Sequence, residues 1–370
     1  MSVSVRAAPH GGPDGGPPIA VDFSTNAHPL GANPWVREQV LRADRARYPD
    51  PQYAHLRCRL GDFHQVDPER IVVGASASEL IWRVTKLWRA IRNGAVVTDG
   101  RTFGEYLRAA KILGVPVTAD PRRRRGPSLH WRCHPDNPTG ALCDLAVEQA
   151  LTDRGTGGRD GGSTGVVIAD LAYWPFLALL SEQRRFAPGA GPPWSDRVAQ
   201  LWSPNKLHGL TGVRGAYMIL AATSSGHLSA RQLINLAPSW VLGADGVAML
   251  EAHTSQQALR FLRESAPKLR HWKVDQDRRL SEAGWRPQIS PLHFGLWRPP
   301  IERSRMRDWQ LRLRRAGFKL RDATSFGRPG WVRLVSRAPA EVQQLLELTE
   351  RFTRATPRLS RTVGGRAVTG

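Results

Sequence analysis

Cysteine is scarce in this chain: Cys58, Cys133 and Cys143 are the only three among 370 residues, and they lack the paired spacing of a metal knuckle. Neither a disulfide framework nor a zinc site is suggested, and free thiols are the expected state. Long apolar runs are missing too; none approaches the roughly 18 residues that a membrane helix requires. The N-terminus lacks the basic-then-apolar layout of a signal peptide, so a cytoplasmic protein is expected. Acidic residues are few, with 32 Asp and Glu against 53 Lys and Arg, which leaves a net charge of +21. Such an excess favours anionic partners, nucleic acid among them. Yet no helix-turn-helix, zinc or RNA-binding motif accompanies the charge, and no N-terminal extension is long enough for a separate DNA-binding domain. The densest run, Arg122 to Arg125, lies between Pro121 and Gly126-Pro127 and reads as a solvated loop. A phosphorylated substrate would account for part of the positive charge.

At this length the chain can bury a full core and divide into two domains. Residues 1 to about 20 are rich in Gly and Pro and should be poorly ordered. From Ile71 onward, short apolar runs alternate with helical periodicity. Ile71-Val72-Val73 reads as a strand, followed by Gly74 and by Ser76 and Glu79 at capping-box spacing. Leu80, Ile81, Val84, Leu87, Trp88 and Ile91 then give a helix one apolar face. Ala95 to Val97, Val166 to Ala169, Val198 to Trp202 and Ala216 to Leu220 are further buried-strand candidates. Strands separated by helices predict a mainly parallel sheet with both faces covered. Residues 154–164 are Gly-rich and polar, the composition of a surface loop. After about Gln256 the chain turns to Arg-rich helical segments, with strand candidates at Phe294 to Trp297 and Trp331 to Val335 and an amphipathic helix near Ala340 to Phe352.

Chemistry concentrates in Ser203-Pro204-Asn205-Lys206-Leu207-His208-Gly209-Leu210-Thr211-Gly212-Val213-Arg214-Gly215-Ala216-Tyr217. A lysine just after an apolar run, with a hydroxyl shortly before it and an arginine after it, sets an amine beside an anion site. That is the equipment for holding a phosphorylated aldehyde covalently. Read alone, a lysine in a Gly-rich loop is more often a solvated surface charge. Three other segments weigh against that reading: His134-Pro135-Asp136-Asn137-Pro138-Thr139-Gly140, the strand Val166-Val167-Ile168-Ala169-Asp170 running into Leu171-Ala172-Tyr173, and Tyr48-Pro49-Asp50-Pro51 following the Asp22 to Gly31 stretch.

Together these segments resemble the class I/II aminotransferases, the fold-type I pyridoxal-phosphate (PLP) enzymes, across nearly the whole chain. Within them the opening resembles the histidinol-phosphate aminotransferases and the threonine-phosphate decarboxylases of cobalamin synthesis, and His10-Gly11-Gly12 is similar to the start of the latter. The resemblance implies an α/β protein with the three-layer α/β/α PLP-transferase fold, its sheet mainly parallel, plus a smaller α+β domain. It implies a flexible segment at 1–20, an N-terminal arm at 21–50, a large PLP-binding domain at 51–255, a small C-terminal domain at 256–356 and a flexible tail at 357–370.

It also implies roles. Lys206 holds the cofactor, Asp170 pairs with the pyridinium, and Tyr173 and Asn137 bond the ring hydroxyl oxygen. Phe103 stacks on the ring. The Ser76-Ala77 amides at a helix N-terminus anchor the phosphate with Ser203 and Arg214. Asn26, Arg321 and Arg333 contact substrate, and Tyr48 reaches the cofactor phosphate of a second copy, which implies a homodimer. The bland readings are a helix cap for Asp170, a turn for Asn137, core packing for Phe103 and a surface charge for Arg321. His28, Leu171, Asn205 and His293 depart from the family pattern. The implied function is reaction at the α-carbon of a small, phosphorylated amino acid, closest to threonine-phosphate decarboxylation. Transamination of histidinol phosphate or another amino acid is the alternative, and a non-catalytic nucleic-acid-binding protein the remote one.

Overall fold

A computed structural model describes residues 10–92, 94–120, 126–144, 165–181, 191, 196, 198–222 and 228–354. The expectations for residues 1–9, Arg122 to Arg125, 154–164 and 357–370 lie outside the described residues. The chain enters through β1 (Val21–Asp22), α1 (Pro34–Leu41) and α2 (Ala54–His64) before the main sheet begins. That sheet comprises β2 (Ile71–Gly74), β3 (Ala95–Val97), β4 (Val117–Thr118), β5 (Ser128–Cys133), β6 (Gly165–Asp170), β7 (Ala199–Trp202) and β8 (Ala216–Ile219). Their spatial order is β2-β8-β7-β6-β5-β3-β4.

Parallel pairing joins β4, β3, β5, β6 and β7, as the alternation of strands and helices predicts. The exception is β8, which lies antiparallel to both β7 and β2. The chain returns from β7 to β8 through the lysine segment without crossing the sheet, so β8 must run the other way. Every residue of β2, β7 and β8 is buried, which is why these strands read as mainly apolar runs rather than alternating ones; buried Gln200 of β7 accepts from Trp202 Nε1 at 3.0 Å.

Helices cover the sheet. In α3 (Ala77–Ile91), Leu80, Ile81, Val84 and Trp88 are fully buried, and Ser76 Oγ caps the helix by accepting from Glu79 N at 3.0 Å. The reciprocal bond of a capping box is displaced: Glu79 Oε2 accepts from Ala75 N at 3.2 Å, because the same carboxylate is gripped by the Arg83 guanidinium at 2.7 and 2.6 Å. Next come α4 (Glu105–Ile112), α5 (Trp174–Leu180), α6 (Pro204–Leu207), α7 (Ala230–Asn235) and α8 (Ala244–His253). The long α9 (Gln256–Glu282) contributes Ala258, Leu259, Leu262 and Leu269 to the main core and Leu280 to a second one.

That second core lies under an antiparallel sheet of order β12-β13-β10-β9, made of β9 (Arg286–Gln288), β10 (Phe294–Arg298), β12 (Arg321–Asp322) and β13 (Val332–Val335). Helices α10 (Met306–Arg315) and α11 (Pro339–Arg354) pack on it. Between them β11 (Phe318–Lys319) pairs in parallel with β1, so Val21 and Phe23 of the arm share a core with Trp285, Trp297 and Trp309. The start of the arm thus joins the C-terminal core, while α1 buries Val36 and Val40 in the main one.

One glycine fastens the site to this frame. Gly209 has φ +63°, and a Cβ there would sit 2.3 Å from the Gly31 carbonyl oxygen. Gly209→Ala should destabilise the protein by more than about 1 kcal/mol, since a left-handed φ and a backbone clash act together. Urea unfolding at pH 7 measures this, and a midpoint equal to wild type would contradict it.

Candidate active site

The carboxyl ends of β5, β6 and β7 converge, the usual place for a ligand in an open α/β sheet. Asp170 ends β6 in register with Cys133 of β5, and its carbonyl accepts from His134 N at 2.8 Å. Beyond β7, Ser203 precedes α6, whose first residue is Pro204, so the missing N–H falls where no helical partner is needed. This short helix points Lys206 back across the strand ends.

A cavity of about 550 Å³ results. Of the residues expected at the site, Asn26, Phe103, Asn137, Tyr173, Lys206, Arg214, Arg321 and Arg333 line it together. Lys206 Nζ donates to Ser203 Oγ at 3.4 Å and lies 5.9 Å from the centre of the Tyr173 ring. Asn26 Nδ2 donates to Tyr173 Oη at 3.5 Å. Arg333 donates to Asn137 Oδ1 at 2.5 Å and to the Ser24 carbonyl at 2.6 Å, while Arg321 donates to Ser325 Oγ at 2.7 Å. Both guanidiniums are buried, and Arg333 Nε and Asn26 Oδ1 have no hydrogen-bond partner among the described residues.

Burial dominates the electrostatics. It lowers the Lys206 pKa, with Asp170 opposing, so the amine is driven toward its neutral, nucleophilic form. Burial also raises Asp170; the charge of Lys206, a bond from Tyr106 Oη at 2.7 Å and one from Ala172 N at 3.1 Å act against it. Tyr173 is pushed up by burial and pulled down by the Arg333 charge. Arg333 is lowered to about 10 by burial and stays cationic at neutral pH.

Several expected residues stand elsewhere. Ser76 and Ala77 do not line the cavity; Ser78 of the same helix does, and the Ser76 hydroxyl is occupied as the helix cap. Tyr48 lies outside the cavity, 76% exposed and stacked on Trp240 at 4.3 Å. Among the departures, Asn205 lines the cavity and its Oδ1 accepts from Ser203 Oγ at 2.9 Å. His293 instead stacks on Phe176 at 3.7 Å, and His28 Nε2 bonds Ser265 Oγ at 3.1 Å, both buried.

Sequence reading overlooked two features. Tyr106, fully buried and stacked on Trp131 at 5.2 Å, holds the Asp170 carboxylate. It lies three residues beyond Phe103, in the first turn of α4, and an aromatic so close to the expected ring partner could have drawn attention to it. The second feature is the seating of the N-terminal segment. His10, Gly11 and Gly12 form part of the cavity wall, and Gly12 N donates to Ser24 Oγ at 2.9 Å. Asp14 accepts from Arg314 and pairs with Lys319, both at 2.8 Å, and those donors hold its carboxyl below the usual range.

The sequence pattern of the family "Aminotransferase class I and II" matches residues 18–124. The histidinol-phosphate aminotransferase of Macrococcus caseolyticus is 30% identical over 262 residues, covering 64% of this chain and 68% of that protein. The chain belongs to the class I and II aminotransferase family. A histidinol-phosphate aminotransferase of Lactiplantibacillus plantarum is 25% identical across 90% of this chain and 91% of its own. Two solved structures share the fold. The histidinol-phosphate aminotransferase of Sinorhizobium meliloti, in complex with pyridoxal 5'-phosphate, has a TM-score of 0.70 at 20% identity and covers 90% of this chain and 92% of its own. The L-threonine-O-3-phosphate decarboxylase of Porphyromonas gingivalis has a TM-score of 0.66 at 19% identity, with 90% and 99% covered.

As a member of that family this protein is a PLP-dependent enzyme. Its site fits the group: a half-buried amine that lines the cavity is coupled to the buried Asp170 carboxylate just behind the cavity wall, and the cavity also exposes Arg214, the first turn of α3 and an aromatic ring. Tyr106→Phe removes a donor to a buried carboxylate and should cost about 1.5–3 kcal/mol. Urea unfolding of the cofactor-free protein at pH 7 reads this, and a loss below about 0.5 kcal/mol would mean the bond contributes nothing.

Proposed function

We propose that this enzyme acts at the α-carbon of a small amino acid bearing a second anionic group, a phosphomonoester, and that its chemistry is closest to threonine-phosphate decarboxylation. The observation that carries the reading is the pair of buried arginines, Arg321 and Arg333, in the same cavity as Lys206. A guanidinium fork matches a carboxylate or a phosphate, and two buried forks match a substrate with two anions. The wall formed by His10, Gly11 and Gly12 supports a compact substrate.

When bound, PLP supplies the sink for the electron pair left at the α-carbon. Asp170, a buried carboxylate coupled to Lys206, would meet its ring nitrogen and keep that nitrogen protonated. Lys206 delivers a neutral amine and afterwards holds or returns a proton above the α-carbon. Asn137 and Tyr173 would hold the ring hydroxyl, with Phe103 as the aromatic wall beside the ring. Arg214, Ser203 and the first turn of α3 take the phosphate. Arg333 clamps the α-carboxylate, and Arg321 with Ser325 takes the distal anion.

A second reading is transamination of histidinol phosphate, supported by the histidinol-phosphate aminotransferases to which the chain is similar. The same residues would serve both outcomes, since each needs a sink for the electron pair left at the α-carbon. Incubation with threonine phosphate and with histidinol phosphate separates them: carbon dioxide release supports the first reading, and keto-acid-dependent turnover of histidinol phosphate without it sinks that reading. Borohydride reduction and peptide mapping should place the label on Lys206. A label on another lysine would overturn the site.

The reading extends to a homodimer. Tyr48 is exposed at its own surface and fixed by Trp240, whose Nε1–H donates to the Pro49 carbonyl at 3.2 Å, as a residue reaching a neighbour's cofactor phosphate needs to be. Inactive Lys206→Ala and severely impaired Tyr48→Ala proteins, mixed under subunit exchange, should recover activity in hybrids that hold one site with neither defect. Complete exchange with no recovered turnover would rule the contribution out.

A further inference from the structure

His208, the C-cap of the helix that carries Lys206, is fully buried, and its neighbours dictate where its proton sits. The logic starts at Asn33, the N-cap of α1. Its Oδ1 accepts from Trp35 N at 3.2 Å and Val36 N at 3.4 Å, so its Nδ2 must face the other way as a donor. That amide donates to the Ala258 carbonyl at 3.1 Å and to His208 Nδ1 at 3.2 Å. With Nδ1 accepting, the hydrogen of a neutral His208 lies on Nε2, which meets His253 Nδ1 at 2.9 Å. His253 Nδ1 must then accept, leaving its own hydrogen on Nε2. With both rings neutral each contact inside the chain pairs a donor with an acceptor, and the His253 Nε2 hydrogen that ends it meets no partner among the described residues. A proton added to either Nδ1 sets N–H against N–H in a buried place.

The same residues fasten the lysine segment. Lys206 O accepts from His28 N at 2.9 Å and Gly209 N at 3.1 Å, and His208 O accepts from Asn33 N at 2.9 Å. His253 ends α8, so the relay ties the arm, the lysine segment and α8 at one point. The titratable groups acting on the pair are themselves histidines. His28 faces His208 from the arm, and His64, at the end of α2, faces His253 beside the Phe63 ring edge at 5.0 Å.

We propose that Asn33, His208 and His253 form a neutral imidazole relay that clamps the Lys206 segment to the N-terminal arm, with His208 a positioning residue for Lys206 and proton uptake by the relay its release. Burial supports this by lowering both rings, His208 from 6.5 to about 3. A ring held neutral in the fold contributes stability that is complete above its unfolded value and is lost as the pH falls from about 6.5 toward 3. In that window each such ring adds up to about a tenfold rise in the unfolding constant per pH unit.

Three measurements test the relay. Nitrogen NMR of histidine-labelled wild-type protein should find two rings, assigned by their loss in His208→Phe and His253→Gln, that stay neutral with hydrogen on Nε2 down to pH 5. Either ring titrating near 6.5 would overturn the proposal without any reliance on a variant's folding. Urea unfolding of the cofactor-free protein between pH 6 and 4.5 should lose about one tenfold step per pH unit from its slope in His208→Phe. The visible absorption of the PLP-loaded protein should titrate with a midpoint moved by at least about half a pH unit in His208→Phe, and by less in His208→Asn, whose Oδ1 can still accept from Asn33. An unchanged slope together with an unchanged midpoint would make His208 mere filling. The absorption arm rests on Lys206 carrying the cofactor; if borohydride fails to label Lys206, that functional reading falls, while the NMR and unfolding arms still judge the relay.

Discussion

The site depends on one buried opposition of charge, Lys206 against Asp170. Each group alone would be driven to its neutral form by burial, and each is the main influence restraining the other. Placing such a pair where strands end has a structural cost, because Asp170 is cut off from water and Lys206 is only partly open to the cavity. The surroundings answer with directed bonds: Tyr106 and Ala172 N on the carboxylate, Ser203 on the amine. These contacts hold both groups in place while leaving Lys206 open to the cavity, a division between support and reaction that preorganised sites require.

The cavity follows from the topology of the sheet. Parallel strands β5, β6 and β7 deliver their carboxyl ends to the same edge, and the return of β8 lets the lysine segment lie across them. From the other side the small sheet brings Arg333 on β13 and Arg321 on β12, which face each other in register. Two arginines that are adjacent across a ladder ordinarily repel. Here each is drawn to its own acceptors, Asn137 and the Ser24 carbonyl for Arg333, the Asp322 carbonyl and Ser325 for Arg321. Their separation is built from those acceptors, so the pair can present two distinct anion positions.

Much of this was legible in the sequence, and the reasons are physical. Strands buried on both faces leave continuous apolar runs, and Ala95 to Val97 was bounded to the residue. Motifs around Lys206, Asp170 and Asn137 are contiguous because each spans a single strand end, so local reading recovers them. The antiparallel course of β8 was not visible, since direction is set by the connection and not by the strand's own residues. Tyr106 escaped because it sits on α4 while its partner Asp170 lies on β6, far along the chain. The His208 relay escaped for the same reason: its members come from the arm, the lysine segment and α8, and histidines spread through a chain give no local pattern.

The pairing of β1 with β11 carries a consequence for how the molecule is made. Val21 lies beside Phe318, so two strands that form one ladder are synthesised at nearly opposite ends of the chain. Until the C-terminal core emerges, Phe23 has no partner ring and the arm has no edge to join. Closing so wide a loop before any contact rewards it places this step late in folding. Asn26, Ser24 and Asn33 all sit on that arm. A nascent chain could thus complete its large sheet and still lack a working pocket, with competence arriving only when the last strands are released.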